Sequence, residues 1–376
     1  MSVAVRTCEA RVSGDPWADA AVESALRRWA PSRDGAGGDL LAAVEREAER
    51  GDEACSAFVR AGFARPAWVD ADLIDAGQRL GLALAVPTGA VLLLGGLVEV
   101  YDVPAIADVL GSTRRLQSQT WRRMLETGRF IRDIHLPGSL SPDGEGLRAI
   151  VRIRLLHAMI RTRLARRGRE VITQEQMAFT LYAHSHVVRR SLARIGVRLT
   201  PAEARAHQHF WRLVGHAMGV EPRWLAHSPE HEALLYRQLR RGLYQGRKAE
   251  GRDLAARAID TVASQARVPR GLVSALTHRL VGPAVADRLR IAPRSRWNPV
   301  LSVGVGCARI ANGVRRRVRW VDRLCGAGGV TFANLVLATD PGVRQPVGAA
   351  AACGTFAKLS DARRRTLRQC PARPSA

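Results

Sequence analysis

The chain has 376 residues, 47% of them hydrophobic, which excludes a chain that is disordered over most of its length. The net charge of +24 would suit nucleic acid or an acidic membrane surface, but the arginines are spread along the chain and only Lys248 and Lys358 are lysines. The predominance of arginine over lysine is typical of a GC-rich genome, and the spread of the arginines forms no basic block, so we do not expect nucleic-acid binding. The six cysteines form no C-x-x-C pair, which argues against a thiolate zinc site, and their spacing is not that of a disulfide framework, which favours a reducing compartment.

Long segments without proline or glycine carry helical spacing, and alternating β-branched residues are rare, so the sequence predicts an all-α protein. Asp15 and Pro16 mark the start of the first helix, as N-cap and first helical residue. A loop should follow at 31–38. The next helices are predicted at 39–62, 66–84 and 103–134, the last with a break near Gly111.

Residues 80–98 carry no charge and are about long enough to cross a bilayer. Pro87 and Gly89 interrupt the segment, so two buried helix segments are favoured over a stable membrane span. The first residues contain neither an apolar export segment nor a twin arginine, and we therefore expect a cytoplasmic protein.

The second half of the chain has clearer helix starts. A loop is predicted at 135–146 and a helix at 147–166, and capping boxes begin at Thr173 and Thr200. Later helices are expected at 229–244, 251–265, 270–279 and 281–290. We interpret residues 1–299 as a single domain, and residues 300–376 as a Gly/Ala/Arg-rich extension that is helical around 308–324 and ends in a loose tail.

The segment "VRIRLLHAMIRTRL" places His157 on one helix face with Arg154 and Arg161. Spacing alone favours a core histidine over a ligand. The two arginines need anionic partners if they are buried. A heme would supply two propionates, and imidazole is a common axial ligand of heme iron.

The preceding segment, "TWRRMLETGRFIRDI", carries a mixed polar and apolar stripe. Its members are Arg123, Glu126, Thr127, Phe130 and Ile134. This stripe would suit the wall of a cofactor pocket. The alternative is that Glu126 simply pairs with a neighbouring arginine on the helix surface.

Other common sites lack support in the sequence. The pairs "HSH" and "HQH" place two histidines two residues apart, which on a helix points them to different sides and argues against a shared metal. H-E-x-x-H, G-x-S-x-G, G-x-G-x-x-G and P-loop motifs are absent, so zincin, hydrolase, dehydrogenase and NTPase functions are not indicated.

Four segments, in this order, resemble the latex-clearing rubber oxygenases of the MpaB-type oxygenase family. They are "RRMLETGRF", "VRIRLLHAMIRTRL", "ITQEQMAFTLYAHSHVV" and "GVRLTPAEARAHQHFWRLVGHAMGV". The resemblance covers residues 14–292. It implies a globin-like helical core with additional N- and C-terminal helices and a heme b whose iron is bound by His157. Arg154 and Arg161 match the arginines that bracket this ligand in the family.

The resemblance also assigns catalytic positions. Arg123 and Thr127 match a distal arginine and threonine, whereas Glu126 stands where the rubber oxygenases have lysine and is the local candidate for proton transfer. The implied reaction is cleavage of a carbon–carbon double bond by O2. We expect an isoprenoid or another apolar alkene as substrate. The alternatives are peroxidase or monooxygenase chemistry, or a non-enzymatic basic protein that binds nucleic acid or acidic membrane. The sequence does not predict the oligomeric state.

Overall fold

The computed structural model describes residues 14–27, 39–112, 119–166, 172–244, 249–293 and 295–340. Every regular element within these ranges is a helix, which confirms the predicted all-α class. The helices of the first half are α1 (Pro16–Leu26), α2 (Leu40–Glu49), α3 (Glu53–Phe63), α4 (Ala71–Ala83), α5 (Ala85–Val91), a π-helical segment (Leu92–Gly96), α6 (Leu97–Tyr101), α7 (Pro104–Ser112), α8 (Thr120–His135) and α9 (Glu145–Ala165).

The described residues of the second half form nine α-helices and two short 3-10 turns at Pro222–Trp224 and Ser295–Trp297. The α-helices are α10 (Gln174–His184), α11 (His186–Arg194), α12 (Pro201–Ala217), α13 (Pro229–Leu243), α14 (Ala249–Ala266), α15 (Arg270–Val281), α16 (Pro283–Arg288), α17 (Asn298–Arg317) and α18 (Arg319–Leu337).

Local capping fixes the helix starts that the sequence predicted. The Asp15 carboxylate accepts a hydrogen bond from the Ala18 amide at 3.2 Å, and Pro16 is the first residue of α1. Thr173 and Thr200 each form a complete capping box. These contacts satisfy amide groups that the first helical turn leaves without an intrahelical partner.

The prediction of one helix over 39–62 was wrong. Gly51 adopts φ 87° between α2 and α3, a left-handed conformation that ends the first helix. Asp52 then starts α3, because its carboxylate accepts from the Cys55 amide at 2.9 Å. The predicted loop at 31–38 lies outside the described residues.

The uncharged segment 80–98 is divided between two helical stretches, as the sequence predicted, but the break lies at Leu84 and not at Pro87 or Gly89. At Leu84 the chain bends by 79° between α4 and the stretch Ala85–Tyr101. Within the described ranges, no single helix has both the length and the apolar composition needed to cross a membrane; this bent pair passes that test only when its two parts are joined.

Three pairs of packed helices carry the candidate functional residues. Helix α4 packs on α12, α1 packs on α9, and α8 packs on α9 as a hairpin across the connection 136–144. The C-terminal helices α17 and α18 pack on each other, and α18 also contacts α4, α5 and α8. Where the sequence predicted one helix around 308–324, the structure has two longer helices, α17 and α18. Residues 341–376, which contain the predicted loose tail, lie outside the described residues.

Candidate functional site

The predicted site residues lie on the two helices of the α8–α9 hairpin. Arg123 lies twelve residues before the end of α8, and His157 lies twelve residues after the start of α9. At a rise of about 1.5 Å per residue, both lie about 18 Å from the connection between the helices. Because α8 and α9 contact each other, Arg123 and Thr127 lie on a helix next to the one that carries His157.

His157 has an orphaned ring nitrogen. Its Nδ1 atom is buried and has no hydrogen-bond partner among the described residues. Burial is the main cause that lowers the pKa of His157 to about 4, and the nearby Arg161 charge lowers it further. The ring is therefore neutral at pH 7 and carries a free lone pair, which is the state required of a metal ligand. This observation fits the predicted role of His157 as an iron ligand.

The two arginines beside His157 already have anionic partners within the chain. Arg154 is buried and binds both oxygens of Asp15, at 2.6 and 3.0 Å. Arg161 binds the Asp19 carboxylate at 2.7–2.9 Å and donates to the Ile172 carbonyl at 3.0 Å. Asp15 and Asp19 thus already compensate these positive charges. The two arginines therefore fit propionate binding less well than His157 fits iron binding. Their assignment to a cofactor stays a prediction.

The polar stripe of α8 is held together by contacts within the helix. The Glu126 carboxylate lies 2.6 Å from Arg123 Nη1 and 3.9 Å from Arg122 Nε. The Thr127 hydroxyl donates to the Arg123 carbonyl at 3.1 Å. Glu126 therefore pairs with the neighbouring arginines, the alternative that the sequence left open, while its side chain stays only 16% exposed. Further along the same stripe, Ile134 is fully buried.

A second group of histidines surrounds a small cavity that the sequence did not predict. The cavity encloses about 20 Å³, close to the space of one water molecule. His135 from α8, His184 from α10 and His207 from α12 line it together with Trp211 and aliphatic side chains. His135 ends α8, so it lies twelve residues, about 18 Å along the helix, from Arg123. Neither His157 nor Arg123 lines this cavity.

All three cavity histidines are held neutral by burial, which lowers each pKa. His135 and His184 donate from Nδ1 to backbone carbonyls four residues earlier, at 2.7 and 2.8 Å, which leaves a lone pair on each Nε2. His207 Nδ1 is buried without a partner. Among the residues that the structure describes, no three His, Cys, Asp or Glu side chains are arranged to hold a metal ion.

The prediction that neighbouring histidines point apart is confirmed. His184 lines the cavity, whereas His186 packs against Tyr236 with ring centroids 4.8 Å apart. His207 also lines the cavity, whereas His209 accepts a hydrogen bond from the Asp70 amide at 3.0 Å. One histidine of each pair, His184 and His207, lines the cavity, and no local pattern in the sequence indicates that these two residues lie close together.

Gly81 on α4 leaves space for the His135 ring in the wall of the cavity. A Cβ atom at this position would overlap the His135 imidazole. We expect Gly81→Ala to lower the free energy of unfolding by about 1–3 kcal/mol, because the ring is stacked on Phe210 at 4.3 Å and cannot retreat. Urea denaturation would measure this loss. The matched control is Gly89→Ala on α5, where nothing lies within 4 Å of the added Cβ; an equal loss in both variants would contradict the prediction.

Glu99 on α6 is fully buried. Its carboxylate binds Arg190 and Tyr236, and it accepts from Arg240 at 2.6 Å. Asp102 extends the network through Arg240 at 3.3 Å. These contacts join α6 to α11 and α13, so Glu99 serves the packing of these helices.

Comparison with known proteins agrees with this architecture. Residues 83–312 match the family model described as "ER-bound oxygenase mpaB/B'/Rubber oxygenase, catalytic domain". A rubber oxygenase of Streptomyces sp. strain K30 is 24% identical over 197 residues, which cover 45% of this chain and 48% of that protein. The match thus spans about half the length of this relative.

The solved structure of Latex Clearing Protein in the closed state has a similar fold. Its TM-score is 0.66 at 18% sequence identity, and the match covers 85% of this chain and 91% of that one. The family model includes α8 and α9 with Arg123, Glu126, Thr127 and His157, whereas α1 precedes it. Since the model matches more than half of the 376 residues, the chain belongs to the family of MpaB and rubber oxygenase catalytic domains.

Proposed function

We propose that the protein is a heme b-dependent oxygenase that uses O2 to cleave a carbon–carbon double bond in an isoprenoid or another apolar alkene, giving carbonyl products. Family membership and the rubber oxygenase relative support this reaction class. The observation that carries the proposal is the buried Nδ1 atom of His157, which has no hydrogen-bond partner within the described ranges and belongs to a ring that burial keeps neutral.

In this proposal His157 binds the iron. A neutral imidazole offers one nitrogen lone pair to a metal, and a pKa of about 4 removes competition from protons at pH 7. The bound heme supplies an iron centre that activates dioxygen. Arg154 and Arg161 flank the ligand and, through Asp15 and Asp19, fix α1 against its helix.

The residues of α8 would shape the substrate side. The Arg123–Glu126 pair, 2.6 Å apart, replaces the arginine and lysine of the rubber oxygenases and lowers the positive charge there. An uncharged alkene suits such a surface. Glu126 would hold or release a proton at its carboxylate, and the apolar Phe130 would help to exclude water. We also propose a cytoplasmic location, which cell fractionation would test.

Heme binding is the first test. Protein expressed with ample heme precursor should be red, and His157→Ala should lose the Soret band because no other residue is proposed to bind the iron. The matched control is His227→Ala, which removes an exposed histidine and should keep the band. Circular dichroism should show equal helix content in all three proteins. A colourless wild type, or an unchanged band in His157→Ala, would contradict the proposal.

Activity is the second measurement. The wild type should consume O2 with candidate isoprenoids and release aldehyde or ketone products without added peroxide or reductant. A requirement for peroxide would favour the peroxidase alternative, and a requirement for a reductant would favour a monooxygenase. A colourless protein whose DNA binding falls steeply with salt would favour the non-enzymatic alternative.

A further inference from the structure

The exposed apolar side chains of the described residues are concentrated on the α17–α18 hairpin. Of the eleven large hydrophobic residues that are exposed, eight belong to these two helices. The eight are Val300, Val303, Ile310, Val314, Trp320, Leu324, Phe332 and Leu335. A folded domain usually scatters such residues singly, so their concentration indicates a surface that contacts something apolar.

On α17 these residues form one continuous stripe. Val300, Val303, Cys307, Ile310 and Val314 are all exposed and follow each other at alternating intervals of three and four residues. That spacing returns to the same helix face, so the stripe runs along most of the helix. Val303 and Ile310 are 68% and 70% exposed, which shows how little of the described part of the chain covers the stripe.

The opposite side of the hairpin is fixed to the protein. Arg315 binds Glu203 at 2.5 Å, and Asn312 donates to the Arg198 carbonyl at 3.0 Å. On α18, a Cβ at Gly329 would overlap the Leu82 carbonyl oxygen, so this helix lies directly against α4. The stripe therefore faces outward because the other face of the hairpin is already packed.

The charge of the hairpin is strongly positive. Residues Asn298–Leu337 contain six arginines and one acid, Asp322, which binds Arg315 at 2.8 Å. Arg316 and Arg317 are exposed at the end of the apolar stripe, and Trp320 follows them at 64% exposure. Apolar residues beside arginines and an exposed tryptophan are typical of helices that lie in the interface of an anionic membrane.

We propose that the outer face of α17 and α18 binds peripherally to an anionic phospholipid surface. The apolar stripe would lie at the boundary of headgroups and acyl chains, and the exposed arginines would contact lipid phosphates. Charge favours a membrane over a second copy of the chain, because a self-pairing interface would bring two hairpins of the same positive charge together.

The position of the hairpin connects this surface to the candidate site. Helix α18 packs on α8, where Arg132 donates to Asn334 at 2.7 Å. Docking would therefore bring α8, with Arg123 and Thr127, within about 10 Å of the membrane-facing helix. An apolar alkene dissolved in lipid would then reach the protein without crossing water. This consequence rests on the proposed function, whereas membrane docking itself does not.

Co-sedimentation of the full chain with vesicles tests the proposal. Binding should be strong with vesicles that contain phosphatidylglycerol, weak with pure phosphatidylcholine, and reduced by high salt because screening weakens the arginine contacts. The triple variant Val303→Ser/Ile310→Ser/Leu324→Ser should bind at least about tenfold more weakly, because three apolar contacts are lost. The double variant Arg316→Gln/Arg317→Gln should bind about tenfold more weakly or worse.

The matched control is Leu234→Ser, which removes an apolar side chain of similar exposure, 56%, on the distant helix α13 and should bind like the wild type. His157→Ala should also bind normally, which separates failure of docking from failure of the heme proposal. Equal binding to neutral and anionic vesicles, or by the triple variant, would overturn the proposal. So would a dimer in light scattering that dissociates in the triple variant without any vesicle binding, since it would assign the face to a second copy.

Discussion

Asp15→Ala is expected to lower the free energy of unfolding by about 3–5 kcal/mol, because it leaves the guanidinium of Arg154 buried without its counter-ion. The two side chains are only 7% and 3% exposed, so water cannot replace the lost carboxylate. Asp15 also caps α1 through the Ala18 amide, which adds about 1 kcal/mol to the loss. Urea denaturation followed by circular dichroism would measure the change.

Asp19→Ala is the matched control. Asp19 pairs with Arg161 on the same two helices, but its side chain is 32% exposed and solvent screens the pair. We therefore expect a loss of about 1 kcal/mol or less. Asp15→Ala/Arg154→Met should be more stable than Asp15→Ala alone, because the unpaired buried charge is gone. Equal losses for the two aspartates, or no rescue in the double variant, would show that burial does not set the strength of these pairs.

Acid is expected to destabilise the protein well before its carboxylates become protonated. Burial lowers the pKa of His135 and His157 to about 4 and that of His186 to about 3. The unfolded chain takes up protons at these histidines near pH 6.5, whereas the folded protein does not. Stability is therefore full above about pH 6.5 and falls as the pH drops towards 4.

The expected slope is about 1.4 kcal/mol per pH unit for each such histidine, so three of them give about 4 kcal/mol per unit between roughly pH 5.5 and 4.5. Burial shifts His184 and His207 in the same direction. Glu232 acts in the opposite direction, because burial raises its pKa. Urea midpoints from pH 7 to pH 4.5 would measure the slope.

His135→Leu should reduce that slope by about 1.4 kcal/mol per pH unit, which corresponds to one proton, because it removes one of the groups that become charged only on unfolding. His227→Ala, at an exposed position, should leave the slope unchanged. A stability that does not vary from pH 7 to pH 4.5 would contradict the expectation that these imidazoles are neutral in the folded protein. It would also remove the argument that His157 offers a free lone pair.

The amino-acid sequence alone determined the helix class and several helix starts. Asp15, Thr173 and Thr200 cap their helices through atoms no more than three residues away, so the residue pattern contains the whole interaction. The prediction of one helix over 39–62 missed the break at Gly51, because a single glycine within an apolar periodicity does not reveal its own backbone angle. The sequence did place His157, Arg154 and Arg161 on one face of α9, since helical spacing decides which residues are neighbours.

Only the tertiary structure decided what that face meets. The partner of Arg154 is 139 residues away in the chain, and the partner of Arg161 is 142 residues away. The sequence indicated that these arginines need anions, but no local pattern identifies Asp15 and Asp19 as those anions. In the same way, packing alone joined His135, His184 and His207 around one cavity and left the apolar stripe of α17 facing outward. Periodicity fixes the faces of each helix, whereas the packing of distant helices decides which faces are covered.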